Sequence, residues 1–176
     1  MANKFFRLLL ISTLIFFTQI KISFADSSYY IDFSKVLNES KAGKQAQDFL
    51  KNKFESESKK FAEKEKKLRK EESEIIAQKK LINKEEYQKK VESLRKKVSE
   101  LQKNKQNSLR NISKLRNKAK SEILKNLNPI MKKYMEDNKI RVVLDKKSIL
   151  LGDVNLDLTN KIIELLNKEL KSIKLN

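Results

Sequence analysis

The chain has 176 residues, 41 of them Lys or Arg against 23 Asp or Glu, a formal net charge of +18, and it contains no histidine and no cysteine. Without those two residue types the usual transition-metal ligands are missing, and so are Ser-His and Cys-His nucleophile pairs, disulfides and a histidine pH switch. The two glycines, Gly43 and Gly152, are too few for a glycine-rich phosphate cradle, so the expectation is a protein that is not an enzyme and needs no cofactor, metal or nucleotide.

At the N-terminus Lys4 and Arg7 precede an apolar run from Leu8 to Phe17, and Ser23-Phe24-Ala25 places small residues before a cut ahead of Asp26. This is the pattern of a cleaved secretory signal over 1–25. Its apolar core is shorter than the roughly 20 residues of a spanning helix, and Gln19 and Lys21 interrupt it. The expected mature chain has 151 residues, a net charge of +15 and no cysteine for a lipid anchor, so it is soluble after cleavage.

Next, Tyr29 to Phe33 is aromatic and β-branched and reads as a short strand, with Ser34 placed to cap a brief helix through Asn38. Ser40-Lys41-Ala42-Gly43 is expected to break that helix. From 44 to 128 there follow 85 residues without glycine or proline, long enough for two helices. The first, roughly Lys44 to Leu81, carries Phe54, Phe61, Leu68, Ile75 and Ile82 at seven-residue spacing. A coiled-coil seam needs two apolar positions per heptad, and the second falls here on Ser58, Glu65, Glu72 and Lys79. Asn83-Lys84-Glu85-Glu86 is a capping box that starts a new helix through Tyr87, Val91, Leu94, Val98 and Leu101, resuming at Ile112, Leu115 and Ala119. The two helices form an antiparallel hairpin arm with its tip near 82–84, each roughly 57 Å long at 1.5 Å per residue. The register pairs Ile75 with Val91, Leu68 with Val98 and Phe54 with Ile112, but sets Phe61 against Lys105, a weak point.

Beyond the arm, Pro129 falls near the end of the second helix and is expected to kink it, since Ile130, Met131 and Tyr134 keep the helical period. Ile140 to Asp145 reads as a strand, Ile149 to Leu151 as another, and Asp157 caps a closing amphipathic helix through Leu158, Ile162, Leu165, Leu166 and Leu170. The fold class is mostly α with a small β body, the body being discontinuous over 26–43 and 129–176 and comprising 66 residues. So small a body is marginal on its own core, which points to self-association through Tyr30, Ile31, Phe33, Val142, Leu144, Ile149 and Leu151.

Charge is concentrated in the arm, which holds 26 basic and 13 acidic residues; Glu55 to Glu74 is balanced at seven of each, while Arg95 to Lys120 has ten cations against Glu100 alone. Such a run is ordinarily a solvated face, but this imbalance suits an acidic partner, with Arg95, Lys96, Lys97, Lys105, Arg110, Lys114 and Arg116 as candidate contacts. Phe61, Leu81, Ile82 and Tyr87 are the candidate apolar contacts, although most of the apolar stripe is needed for the hairpin seam. An anionic membrane-lipid surface is a further candidate partner. Nucleic acid is not expected, because no aromatics interleave with the basic residues to stack on bases.

Three stretches resemble the Skp/OmpH family of periplasmic chaperones: Ile31 to Ser40 followed by Gly43-Lys44; Glu85 to Val91; and Val142 to Asp145 continuing through Asp157-Leu158-Thr159 to Leu166-Asn167. The resemblance implies a periplasmic homotrimer whose three hairpins surround a cavity that holds unfolded outer-membrane proteins. The family supplies no catalytic residues and only diffuse client contacts. The arm here has little apolar surface beyond its seam, a departure that bears on how such a cavity holds apolar clients. The competing reading is a structural coiled-coil protein that spaces or tethers envelope components; a spacer has no need for both arm ends to return to one body.

Overall fold

The computed structural model describes residues 28–175. The expected signal over 1–25 and its cut before Asp26 lie outside those residues. The elements are strand β1 (Tyr29–Ile31), helix α1 (Phe33–Glu39), helix α2 (Lys41–Gln78), helix α3 (Lys84–Asp137), strand β2 (Val143–Asp145) and helix α4 (Thr159–Glu169), with short 3-10 turns at Lys146–Ser148 and Val154–Leu156. The protein is mostly helical with a small two-stranded sheet and a helical hairpin.

β1 and β2 pair in parallel, Tyr29 with Val143 and Ile31 with Asp145, and Tyr30 adds an isolated bridge to Asp157 on the other side. Two expectations are corrected here. The strand at the N-terminus stops at Ile31 because Asp32, not Ser34, caps α1: its carboxylate accepts from the Lys35 N–H at 2.9 Å, which makes Phe33 a helical residue. Ile149 to Leu151 is not a strand. Ile149 is extended, but the chain bends at Leu150 and Leu151, which are fully or almost fully exposed, and the segment pairs with no strand among the described residues.

Ser40 joins α1 to α2. It ends the first helix, and its Oγ accepts from the Gly43 N–H at 3.2 Å to start the second. Gly43 is therefore inside the arm helix, where it does not act as a breaker. Its role is steric, since a β-carbon at this position would lie 1.9 Å from the Leu37 carbonyl oxygen.

At the far end α2 stops at Gln78, so the hairpin turn occupies 79–83, slightly longer than expected, and Asn83 accepts from the Glu86 N–H at 2.8 Å to start α3. The Glu86 carboxylate lies 3.5 Å from Lys90 Nζ, along its own helix. α3 continues through Pro129 to Asp137 and ends in a Schellman motif. There Lys139 takes a left-handed φ of 55°, Ile140 N–H bonds Met135 O at 2.8 Å, and buried Ile140 closes the cap against the core.

α3 is thus both the returning strut of the arm and a wall of the body. Its Ile123 and Leu127 join Ile31, Val36, Ala42, Leu158, Ile162 and Leu166 in one core, flanked by Met131, Tyr134 and Ile163. Hydrogen bonds lock the pieces: Asp32 N–H to Thr159 Oγ1 at 2.8 Å, Lys41 N–H to Asn167 Oδ1 at 2.7 Å and Tyr30 O–H to Asp153 O at 3.1 Å. The C-terminal tail packs Leu175 against Ala46 and Ala119 of the two arm helices, with Ile173 N–H bonded to Gln45 Oε1 at 3.1 Å. Both ends of the arm are therefore fixed to the same body.

Asp157 stands just ahead of α4, whose N-cap is Leu158, and it accepts from the Thr159 N–H at 2.9 Å and from the Thr159 hydroxyl and also pairs with Lys146 Nζ at 3.2 Å. Burial pushes its carboxyl up, but the Thr159 hydrogen bonds and Lys146 together outweigh that and leave its pKa below the ordinary carboxylate value. Stability from this group is present above the unfolded-state pKa and is lost as pH falls through the lowered folded value. Asp157→Asn is therefore expected to lower the thermal midpoint at neutral pH and to flatten the acid side of a melting-temperature series; an unchanged pH profile would remove Asp157 from the account.

Candidate functional site

The arm is a hairpin held by one apolar stripe and one polar ladder. Ile75 and Leu101 are buried along the stripe, while Leu68, Val91, Leu94 and Ile112 are half-buried. A single apolar residue per heptad makes a thin seam, and polar groups beside it bridge the two helices. Along α2, Glu57, Glu65, Glu71 and Gln78 each accept from α3: Ser108 Oγ at 3.4 Å, Lys105 Nζ, Lys97 Nζ at 2.5 Å and Lys90 Nζ at 2.6 Å. Lys105, directly hydrogen-bonded, holds the Glu65 carboxyl below its usual range. Solvent screens exposed pairs of this kind and salt weakens them, so the ladder sets register more than it adds stability.

This ladder divides the predicted basic residues into two groups. Lys97 and Lys105 are engaged within the arm, and Lys105 answers the mismatch with Phe61 by reaching Glu65 one turn away. Arg95, Lys96, Arg110, Lys114 and Arg116 are exposed and lie outside the ion pairs of the described residues. The excess of exposed positive charge thus lies on α3. Counting charge along the sequence does not separate these groups; what does is the position of Glu65 and Glu71 on α2, opposite Lys105 and Lys97.

Among the predicted apolar contacts, Leu81 is 82 % exposed at the turn and Ile76 beside it is 60 % exposed. Ile82 and Tyr87 are half-buried, with Lys79 Nζ 6.0 Å above the Tyr87 ring. Phe61 is half-buried in a small groove of about 240 Å³ that also contains Phe54, Glu65, Lys105 and Ile112. The tip and Phe61 are separate patches, joined only by the length of the arm.

A larger groove, of about 620 Å³, opens at the root of the arm between α2 and α3. Leu50, Phe54, Ile112 and Ile123 form its floor, and Lys51, Arg116 and Lys120 stand at its edge. Of these only Arg116 belongs to the contacts expected from sequence.

The residues expected to associate split in the same way. Tyr30 and Ile31 are buried within the body, Phe33 and Ile149 are half-buried, and Val142, Leu144 and Leu151 are exposed, next to Leu150 and Val154. The exposed members lie in or near β2 and in the segment after it, and β2 pairs only with β1 among the described residues. Among the described residues no cluster of metal-ligating side chains occurs, and no helix is long and apolar enough to cross a membrane.

A family model described as outer membrane protein (OmpH-like) matches residues 28–166, which covers β1, the whole arm and most of α4. The chain belongs to this OmpH-like family. Its fold is similar to that of a solved structure from Caulobacter crescentus CB15 that is described as OmpH-like. The two chains are 19 % identical, with a TM-score of 0.79 over 85 % of this chain and 89 % of that one. No curated protein matches the sequence. Membership of the OmpH-like family agrees with the three stretches singled out in the sequence, all of which fall where the arm meets the body, at the arm tip or in the closing β2–α4 segment.

Proposed function

We propose that this OmpH-like protein is an ATP-independent periplasmic holdase that captures unfolded outer-membrane β-barrel proteins between basic helical arms and keeps them from aggregating. The observation that carries the reading is the row of unpaired cations Arg95, Lys96, Arg110, Lys114 and Arg116 on a long arm whose two ends are anchored in one body. Such an arm presents charge to a partner over its full length. A spacer has no use for a hairpin that returns to its origin, which disfavours the tether reading.

The assembled form is a homotrimer in this proposal, built on the exposed apolar surface of Val142, Leu144, Leu150, Leu151 and Val154. Exposed apolar groups beside an open strand edge are covered most directly by another copy of the same edge. No catalysis and no cofactor are part of the mechanism, and unfolded clients are the partner; anionic lipid is a weaker competitor for the same cations.

The test is light scattering during dilution of a urea-unfolded β-barrel membrane protein. The protein is expected to suppress aggregation near one trimer per client without nucleotide. Leu144→Glu together with Leu151→Glu is expected to yield monomers that keep their helicity and lose suppression. Full suppression by a monomeric variant would overturn the cavity, and no suppression by the unmutated protein would overturn the holdase.

A further inference from the structure

The root groove differs from the rest of the arm in its charge. Its lining contains no carboxylate, whereas the small groove next to it, sharing Phe54 and Ile112, contains Glu57 and Glu65. Its cations Lys51, Arg116 and Lys120 are exposed and form no ion pair among the described residues. Its polar wall is already satisfied, because Gln47 Nε2 donates to Asn38 Oδ1 at 3.0 Å. Phe54 is a large aromatic left 47 % exposed on this floor, beside buried Leu50 and Ile123.

An apolar floor with three free cations at the rim, and no acid to repel a carboxylate, fits an occupant that carries both apolar and acidic groups in close succession. A purely apolar segment leaves the cations unanswered. A purely acidic one leaves the floor in water. The groove's own cations disfavour basic segments, while Glu57 and Glu65 of the neighbouring groove disfavour acidic ones and so set the outer limit of the site.

We propose that the root groove is a discrete anchoring site for an extended segment of an unfolded client in which apolar residues alternate with Asp or Glu, the apolar side chains resting on Leu50, Phe54 and Ile112 and the carboxylates meeting Lys51, Arg116 and Lys120. This rests on the client-holding reading and sharpens it, since capture then has one fixed point at the body end of the arm, in addition to diffuse attraction along it. Alternation places apolar and acidic side chains on opposite faces of an extended segment, about 3.3 Å apart along the chain, which suits a groove whose floor and rim are separate surfaces.

Fluorescence anisotropy with the full mature protein tests this, using a short labelled peptide in which Phe and Leu alternate with Asp. Controls replace every Asp by Lys, or every Phe and Leu by Ser. The first peptide is expected to bind about tenfold or more tightly than either control. Lys51→Glu, Arg116→Glu and Lys120→Glu combined are expected to remove that preference, while Lys66→Glu with Lys80→Glu, at exposed positions farther out on the arm, leaves it within about twofold. If the triple variant loses helicity by circular dichroism, Arg116→Glu and Phe54→Ser singly give the same comparison at exposed positions.

Equal binding of the three peptides overturns the site, and so does equal loss on reversing the distal pair. Vesicles of anionic phospholipid that compete fully with the peptide would reassign the groove to lipid. Aggregation suppression by the unmutated protein is measured alongside: suppression without peptide preference sinks the anchoring site alone, whereas absent suppression sinks the holding function too.

Discussion

Gly43→Ala is expected to destabilise the protein by about 3 kcal/mol, the upper part of the range for forcing an extra group into a packed interior. The added β-carbon would meet the Leu37 carbonyl oxygen at 1.9 Å and its carbon at 2.8 Å, both backbone atoms with no rotamer to yield. Either α1 or the first turn of α2 must move, and both carry core residues, Val36 on one side and Ala42 on the other. For a domain of this size such a loss corresponds to a drop of roughly 6 to 12 °C in the thermal midpoint. The neighbouring Ser40→Ala removes only the cap to the Gly43 N–H and should cost about 1 kcal/mol. Differential scanning calorimetry on the two variants separates close approach from capping: a Gly43→Ala midpoint no lower than that of Ser40→Ala would mean that the junction is not tightly packed. The expected functional consequence is an arm that is still helical but no longer set at one angle to the body.

The features legible in the sequence were those with a local cause. The absence of glycine and proline from 44 to 128 gave two long helices, and Asn83 with Glu86 marked where the second begins. The seven-residue apolar stripe pointed to an antiparallel hairpin, and the cross-helix bonds from Lys90 to Gln78 and from Ser108 to Glu57 run antiparallel within two residues of the expected register. What escaped was set by contacts distant in the chain. The parallel pairing of β1 with β2 joins three-residue strands at opposite ends of the arm, and strands so short carry no periodic signal for their partner. Ser34 was a sound cap by type, but Asp32 sits closer to the strand end and also donates its N–H to Thr159, which fixes the turn there. Leu150 and Leu151 have the composition of a strand, yet a strand needs a neighbour. The tail that seats Leu175 between the arm helices shows no pattern in isolation, because a single leucine finding two alanines is tertiary information. The site was legible as a charge imbalance; which cations are free depended on the acids of the other helix.

Reversing Arg95, Lys96, Arg110 and Lys114 to glutamate is expected to slow association with an acidic unfolded client by about tenfold or more, within the range that steering by a charged surface commands. These four lie outside the polar ladder, the body core and the root groove, so the substitutions should leave assembly, arm helicity and the anchoring groove in place. Lys97 and Lys105 are kept, because reversing them would set glutamate against Glu71 and Glu65 and open the arm for an unrelated reason. The complementary measurement is the association rate of the unmutated protein across a salt series. Attraction between exposed charges is screened over about 8 Å at physiological ionic strength, so the rate should fall steeply with salt, whereas the reversed protein should be nearly insensitive. Salt also weakens the ladder, and circular dichroism at each salt concentration separates the two effects: capture must slow while helicity holds. A salt-independent rate for the unmutated protein, or equal rates for the two proteins at low salt, would return the free cations of α3 to a solvated face and leave apolar contact as the means of holding. The opposite result assigns each surface its step, with long-range attraction on the outer arm preceding short-range contact nearer the body, where apolar floor and unpaired cations coincide.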